Sequence, residues 1–218
     1  MDEEMAENPE NLVANYKRPR NPYKVAFTGI YGVGKTSLFR SIFNQPPSHV
    51  SKCTHEEIFD KDETVIPLEF WDTADMERHG SVTRSYYRGS KFVLLVYSAT
   101  DEESLHRLRG IAKYVKEDEP AAKLILVRNK TDLPIGDESV SEEKERDFLR
   151  SEKKKIFATS FRTSAKTGDG IENLIKELGK QSLKMFKSKG RWGNDQNENG
   201  FELDTKEIRQ ENKGCCSG

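Results

Sequence analysis

A glycine-rich loop between an apolar run and an amphipathic segment constrains the fold of this chain more than any other feature of its sequence. Residues 23–27 are apolar for the most part, and the octapeptide GIYGVGKT at residues 29–36 has the pattern G-x-x-x-x-G-K-[ST]. Apolar side chains then recur at helical spacing, at Leu38, Phe39, Ile42 and Phe43. The sequence therefore predicts a strand, a phosphate-binding loop and a helix in that order.

The chemistry of this loop suits a nucleotide phosphate. Glycines let backbone N–H groups converge on phosphate oxygens, and the N-terminus of the following helix adds positive potential. We expect Lys35 to supply a point charge, with a catalytic role, and the Thr36 hydroxyl to ligate Mg²⁺. The predicted nucleotide contacts of the loop are Tyr31, Gly32, Val33, Gly34, Lys35, Thr36 and Ser37.

Short apolar runs alternate with helix-period segments along the rest of the chain. The predicted strands include residues 65–71, 92–97, 124–127 and 156–161, and the predicted helices include residues 105–115, 142–155 and 171–178. Such alternation implies right-handed crossovers and an α/β fold, here a P-loop nucleotide-binding domain with a mostly parallel six-stranded sheet and helices on both faces. Its ligand crevice is expected at the carboxyl ends of the strands.

Length and composition fit one globular domain with two tails. Residues 1–22 and 190–218 contain few apolar groups, so we expect a flexible N-terminal extension and a flexible C-terminal tail around a domain of residues 23–189. A formal net charge of -1 gives no bulk attraction to nucleic acid, and no nucleic-acid partner is expected. No signal peptide or spanning segment is visible, which favours the cytosol. Cys53 is expected to be an inert surface or loop thiol.

The segment Asn129-Lys130-Thr131-Asp132 follows the apolar run at residues 124–127 and points to the base. A carboxylate can accept paired hydrogen bonds from the N1–H and 2-amino groups of guanine, whereas adenine presents no such donor pair. Asp132 is therefore predicted to select guanine, with Asn129 and Lys130 bracing the loop and covering the base. An ATP-using kinase is a more distant alternative, because no lid or acceptor site is visible.

Further motifs carry a family resemblance. Ser164-Ala165-Lys166 resembles the third guanine motif of the Ras superfamily, in which the alanine N–H meets the guanine oxygen. Three segments are similar to Rab proteins within it: WDTA at 71–74, SYYRG at 85–89 and LVY at 95–97. The likeness covers residues 23–186. It implies a monomeric small GTPase that binds GTP or GDP with Mg²⁺, hydrolyses GTP to GDP and phosphate, and acts as a switch in vesicle traffic.

The resemblance also implies a magnesium site. Asp72 looks like the carboxylate that orients Mg²⁺ through water, and Thr54 resembles the switch I threonine that meets Mg²⁺ and the γ-phosphate. Thr36, Thr54 and Asp72 are thus the predicted metal residues, and Thr54 is also a predicted catalytic residue. The spacing of 18 residues between Thr54 and Asp72 (72 - 54 = 18) is shorter than usual in the family, so the intervening hairpin must be short.

The chain departs from the family pattern in the second switch. Asp75 stands where a glycine is usual; its N–H is retained as a predicted nucleotide contact, but its carboxylate would repel the γ-phosphate. Met76 stands where a glutamine orients the attacking water, and its thioether lacks an amide, so slow intrinsic hydrolysis is predicted. Tyr31 either hinders an incoming arginine finger or touches phosphate. An activating protein that supplies arginine and glutamine in trans could rescue Met76.

Two functional interpretations of these differences from the family pattern stay open. The first is a GTP-hydrolysing switch with a low intrinsic rate, which works through effector proteins, an exchange factor and an activating protein. The alternative is a GTP-dependent membrane adaptor with little or no hydrolysis, motivated by Tyr31, Asp75 and Met76 together.

The last residues resemble the double-cysteine terminus of Rab proteins. Cys215 and Cys216 are not followed by an aliphatic pair, so they do not form the usual C-a-a-X signal. Because two lipid chains give stable anchoring and one does not, we expect geranylgeranylation of both cysteines; two unmodified thiols are the alternative. The expected location is the cytoplasmic face of an intracellular membrane, with a cytosolic pool. Four basic and six acidic residues from Gly190 onward predict no polybasic patch there.

Overall fold

The computed structural model describes residues 17–46, 50–58, 64–72, 87–134, 136–151 and 156–190. Strands and helices follow one another as β1 (Tyr23–Thr28), α1 (Lys35–Ile42), β2 (Lys52–Ile58), β3 (Val65–Trp71), β4 (Phe92–Ser98), α2 (Glu102–Asp118), β5 (Lys123–Asn129), α3 (Glu142–Ser151), β6 (Phe157–Arg162) and α4 (Ile171–Gly190). None of the helices within these ranges is long and apolar enough to cross a bilayer.

The strands form a six-stranded sheet in the order β2-β3-β1-β4-β5-β6. Only β2 and β3 pair in antiparallel fashion, and every other neighbouring pair is parallel. Every residue of β4 is buried, as expected for a central parallel strand that is covered on both faces. The predicted mostly parallel, six-stranded α/β fold is confirmed.

Helices cover both faces of the sheet, as predicted. One core lies between the sheet and the helices α1 and α4; its members include Phe27, Leu38, Phe39, Phe70, Leu174 and Leu178. The other lies between the sheet and the helices α2 and α3; its members include Leu95, Leu105, Leu108, Leu126 and Phe148. Packing on both faces fixes the carboxyl ends of the central strands, where the candidate site lies.

The edge strand β2 differs from the others because it is mostly polar. Its pairing with β3 runs from Lys52 opposite Trp71 to Ile58 opposite Val65. Cys53 lies on its inward face, is 3% exposed and belongs to the core. The prediction of a surface or loop thiol at Cys53 is therefore wrong, since the strand turns this side chain toward α1 and α4.

Candidate functional site

The loop between β1 and α1 holds its lysine inside the fold. Lys35 is 4% exposed, and its Nζ donates to the carbonyl oxygens of Gly29 at 2.9 Å and Ile30 at 2.7 Å. A buried ammonium needs such partners because desolvation of an unpaired charge is costly. The two bonds keep this charge beneath the loop, where it faces any anion that the backbone N–H groups bind.

Two glycines let the loop approach its neighbours closely. A Cβ on Gly29 would lie 2.2 Å from the carbonyl oxygen of Val96 in β4, and a Cβ on Gly34 would lie 2.5 Å from Nδ2 of Asn129. Both glycines have positive φ angles, 144° and 94°, that other residues rarely adopt. The loop is thus pressed against β4 and against the segment after β5.

The N-terminus of α1 completes the phosphate side of the site. Gly34 is its N-cap and provides no side-chain cap, and the first turn contains no acidic residue. The backbone N–H groups of this turn and the helix dipole are therefore directed at the loop, which favours a bound anion. Thr36 is half-buried and Ser37 exposed in the same turn.

A single buried amide joins the phosphate loop to the loops that follow β5 and β6. The side chain of Asn129 is fully buried, and its Nδ2 donates to the carbonyl oxygens of Val33 at 3.0 Å and Gly34 at 3.4 Å. Its Oδ1 accepts from the backbone N–H of Ala165 at 3.2 Å and from the Thr163 hydroxyl at 3.4 Å. The predicted bracing role of Asn129 thus has a geometry in which both ends of the amide are used.

The family resemblance implies that Ala165 presents its N–H to the guanine oxygen. In this structure the same N–H donates to Asn129, so a bound guanine would share or replace that bond. Lys166 is exposed beside it, and its N–H donates to the Ser164 hydroxyl at 3.3 Å. The predicted S-A-K residues therefore do lie together, next to the segment that contains Asp132.

Asp132 is held in place by Ser164, whose hydroxyl donates to its Oδ1 at 2.7 Å. This hydrogen bond is the main reason why the pKa of Asp132 is lowered; its own backbone N–H and the charges of Lys166 and Lys130 act in the same direction. The carboxylate is accordingly ionised near neutral pH, which is the state that accepts hydrogen bonds from guanine. Lys130 adopts a positive φ of 62° that turns the chain at this point.

A buried ion pair lies behind the guanine segment, and the sequence reasoning missed it. Arg128 directly precedes Asn129; it donates to the Val140 carbonyl at 2.6 Å and lies 3.3 Å from Oε2 of Glu145 in α3. Burial beside Glu145 raises the pKa of Tyr97. The signal was a single charge inside an otherwise apolar strand, because a buried charge requires a partner.

The switch side of the site is the part near β2 and the end of β3, where Thr54 and Asp72 lie. It contains only some of the predicted residues. Asp72 directly follows β3, is half-buried and donates its N–H to the Ser51 carbonyl at 2.7 Å. Thr54 is exposed within β2, opposite Glu69. At about 3.4 Å per strand residue it lies roughly 10 Å beyond Ser51. The structure therefore does not bring Thr54 to Asp72, because pairing with β3 holds it further along the strand.

The remaining predicted residues divide into described and undescribed positions. Tyr31 is 71% exposed on the phosphate loop. Asp75, Met76, Cys215 and Cys216 lie outside the described residues. The hydroxyl of Thr36 and the carboxylate of Asp72 are oxygen donors, the type that Mg²⁺ prefers. No group of three or more His, Cys, Asp or Glu side chains that could hold a metal occurs in the described ranges.

Comparison with known proteins agrees with this geometry. The Ras family sequence profile matches residues 24–184. The Ras-related protein Rab-13 of Rattus norvegicus is 30% identical over 206 residues, which are 90% of this chain and 96% of that protein. The Ras-related protein Rab-4 of Dictyostelium discoideum is 34% identical over 169 residues, 72% of this chain and 78% of the relative. Ras-related protein RABA3 of Arabidopsis thaliana is 29% identical over 202 residues, which are 82% of this chain and 80% of that protein.

Proposed function

The chain belongs to the Ras family as a Rab-like small GTPase, and from that premise we propose that it is a GTP/GDP switch in vesicle traffic with slow hydrolysis of its own. The nucleotide part of the proposal is carried by the Asn129 amide, which joins the phosphate loop to the segment after β6. A chance match of short motifs would not explain why three of them meet at one buried side chain.

Each part of the site has a proposed task. The Asp132 carboxylate would accept the N1–H and 2-amino groups of guanine and so reject ATP. Lys35 and the first turn of α1 would neutralise the phosphates, with Tyr31, Gly32, Val33, Gly34 and Ser37 lining the loop. Ser164 would keep Asp132 ionised, and Lys130 and Lys166 would cover the base.

Thr36 and Asp72 would hold Mg²⁺ beside the phosphates, where the ion would supply positive charge that offsets theirs. We assign the Thr36 hydroxyl to direct ligation and the Asp72 carboxylate to contact through water. Thr54 is left out of this site because its strand pairing opposite Glu69 keeps it away. The residue of the first switch that contacts the γ-phosphate would then precede β2 in the chain.

Slow hydrolysis is proposed from three residues. Met76 cannot orient water as an amide does, and the Asp75 carboxylate would repel the γ-phosphate. Tyr31 is largely exposed on the loop that an activating protein's arginine would approach. This exposed ring favours the second candidate, a GTP-dependent membrane adaptor with little or no hydrolysis.

Attachment to an intracellular membrane is proposed through prenyl chains on Cys215 and Cys216, with a cytosolic pool and with effector, exchange and activating proteins as partners of a monomer. Replacing both cysteines by serine should move the protein to the soluble fraction of cells, and mass spectrometry of the native C-terminus should find the lipids. Continued pelleting of the double variant with membranes would defeat this part of the proposal.

The nucleotide that the protein retains on purification tests the function as a whole. We expect a guanine nucleotide that excess GTP displaces and excess ATP does not. Retained GDP and measurable turnover would favour the switch, whereas retained GTP without turnover would favour the adaptor. Equal displacement by ATP and GTP would contradict both.

A further inference from the structure

Four exposed lysines lie along the outward side of α4, and neither the nucleotide site nor the tail accounts for them. They are Lys176, Lys180, Lys184 and Lys187. At 3.6 residues per turn their spacing confines them to an arc of about 80°, over a length of about 16 Å. The buried residues Leu174 and Leu178 lie on the opposite side of the helix, so this lysine stripe faces solvent.

The outer sides of α2 and α3 are different because acidic residues accompany the basic ones there and form several ion pairs with them. Glu103 pairs with Arg107 at 2.6 Å within α2, and Lys144 of α3 pairs with Glu102 of α2 at 2.5 Å. In the lysine stripe, Lys176 pairs with Glu172 of the first turn. No ion pair is recorded for Lys180 or Lys184 among the parts of the chain that the structure describes. The C-terminal half of α4 thus carries an excess of positive charge.

The stripe extends away from the nucleotide site. A Cβ on Gly170, just before α4, would meet the Arg162 carbonyl at the end of β6, so α4 begins at the carboxyl ends of the strands. Lys123, at the amino end of β5, donates to Oε1 of Gln181 at 3.0 Å. Lys184 and Lys187 therefore lie toward the amino ends of the strands, opposite the candidate site.

We propose that the lysine stripe of α4 docks on the anionic headgroups of a membrane. The charge complementarity is direct, because each lysine near an anionic lipid surface strengthens binding by roughly fivefold. Residues 191–218 are too acidic to supply this attraction, with a balance of -2 from Gly190 onward (four basic, six acidic). The proposal extends the proposed membrane attachment but does not depend on lipidation or on bound GTP.

The length of chain beyond α4 permits such docking. Cys215 follows Gly190 by 25 residues (215 - 190 = 25), which could extend over about 80 Å. An anchor at Cys215 would thus leave α4 free to lie along the membrane. With the stripe on the membrane, the carboxyl ends of the strands would lie at one side of the docked domain, open to proteins in solution.

Sedimentation with vesicles tests whether the stripe binds membranes, with the full-length protein prepared without prenyl chains. The variant Lys180→Gln/Lys184→Gln/Lys187→Gln is compared with Lys91→Gln/Lys113→Gln/Arg146→Gln, which removes three exposed positive charges elsewhere. On phosphatidylcholine vesicles containing phosphatidylserine, we expect the stripe variant to bind at least about tenfold more weakly than the native chain. The control variant should bind as the native chain does, and added salt should weaken the native binding.

Two results would overturn the proposal: equal losses in the two variants, or equal binding of the native chain to vesicles with and without phosphatidylserine. The guanine nucleotide retained by each variant is measured in parallel. Nucleotide retained by a stripe variant that has lost vesicle binding supports docking by the stripe. Absence of nucleotide from every variant, with the vesicle difference intact, would refute the proposed switch and leave the stripe standing.

Discussion

On the guanine side of the site, the loops after β5 and β6 are tied together by buried contacts, whereas on the switch side the edge strand β2 is mostly polar. Asn129 joins two loops, and Arg128 with Glu145 supports the strand behind them. The switch side is instead proposed to depend on Asp75 and Met76, which depart from the family pattern. In the proposed function, base recognition rests on a frame of buried contacts, while hydrolysis rests on residues that depart from the family pattern.

Removing the Asn129 amide should give the largest effect. Asn129→Ala leaves the buried Val33 carbonyl and the part-buried Gly34 carbonyl and Ala165 N–H without this partner, and loss of a buried partner costs about 1–3 kcal/mol. We expect the affinity for GDP, measured by titration calorimetry, to fall by roughly a hundredfold or more. Asn173→Ala, in an exposed position of α4, is the control. An affinity equal to that of the control would mean that the frame is not needed.

The ion pair behind the guanine segment should matter for stability. Glu145→Ala leaves Arg128 buried without its carboxylate and should lower the free energy of unfolding by about 3 kcal/mol. The double variant Arg128→Met/Glu145→Leu should recover most of that loss, since no charge is then buried. Denaturant unfolding measures both, with the exposed Glu143→Ala as a control. A single variant as stable as this control would contradict the proposed support.

The switch side can be sharpened at Met76. Met76→Gln should raise the single-turnover rate of GTP hydrolysis by about tenfold or more, because an amide can orient the attacking water. Met76→Leu keeps an apolar side chain of similar size and should leave the rate unchanged. If the Met76→Gln variant hydrolyses GTP no faster than the Met76→Leu variant, Met76 does not limit hydrolysis. Asp75→Gly is then the variant that tests whether Asp75 limits it.

A smaller effect is expected from the hydroxyl that holds Asp132. Ser164→Ala removes the hydrogen bond that chiefly lowers the pKa of Asp132, so this pKa should rise toward its ordinary value. Guanine binding requires the ionised carboxylate, and as pH falls the variant should lose affinity at a higher pH than the native protein. Affinity for GDP across the acidic range measures this, with Ser188→Ala as the control. Superimposable pH profiles would contradict it.

The sequence was sufficient where apolar runs are continuous. The strands β4 and β5 and the loop before α1 were predicted because burial on both faces requires an uninterrupted apolar strand. The strand β2 was not identified, since only Cys53 and Ile58 among its seven residues are apolar and its position is set by pairing with β3. The resemblance of Thr54 to the switch I threonine consequently gives no sign that pairing with β3 holds this residue within a strand.

Other features needed tertiary structure. Arg128 and Glu145 are 17 residues apart, and a charged helix such as α3 looks wholly solvated until its packing is known. The lysine stripe belongs to the last helix itself, so the charge balance of the tail from Gly190 onward gives no sign of it. Pattern alone gives the residues of a helix but not the extent of its exposed face.

The preference of an Asp132→Asn variant for nucleotides tests the central claim most directly. An asparagine amide can accept from N1–H and donate to an oxygen at position 2, so it should favour xanthine over guanine at the same site. The account predicts that the native protein binds GDP more tightly than xanthosine diphosphate and that the variant reverses this order. A variant that still prefers GDP would contradict the assignment of Asp132 to the base.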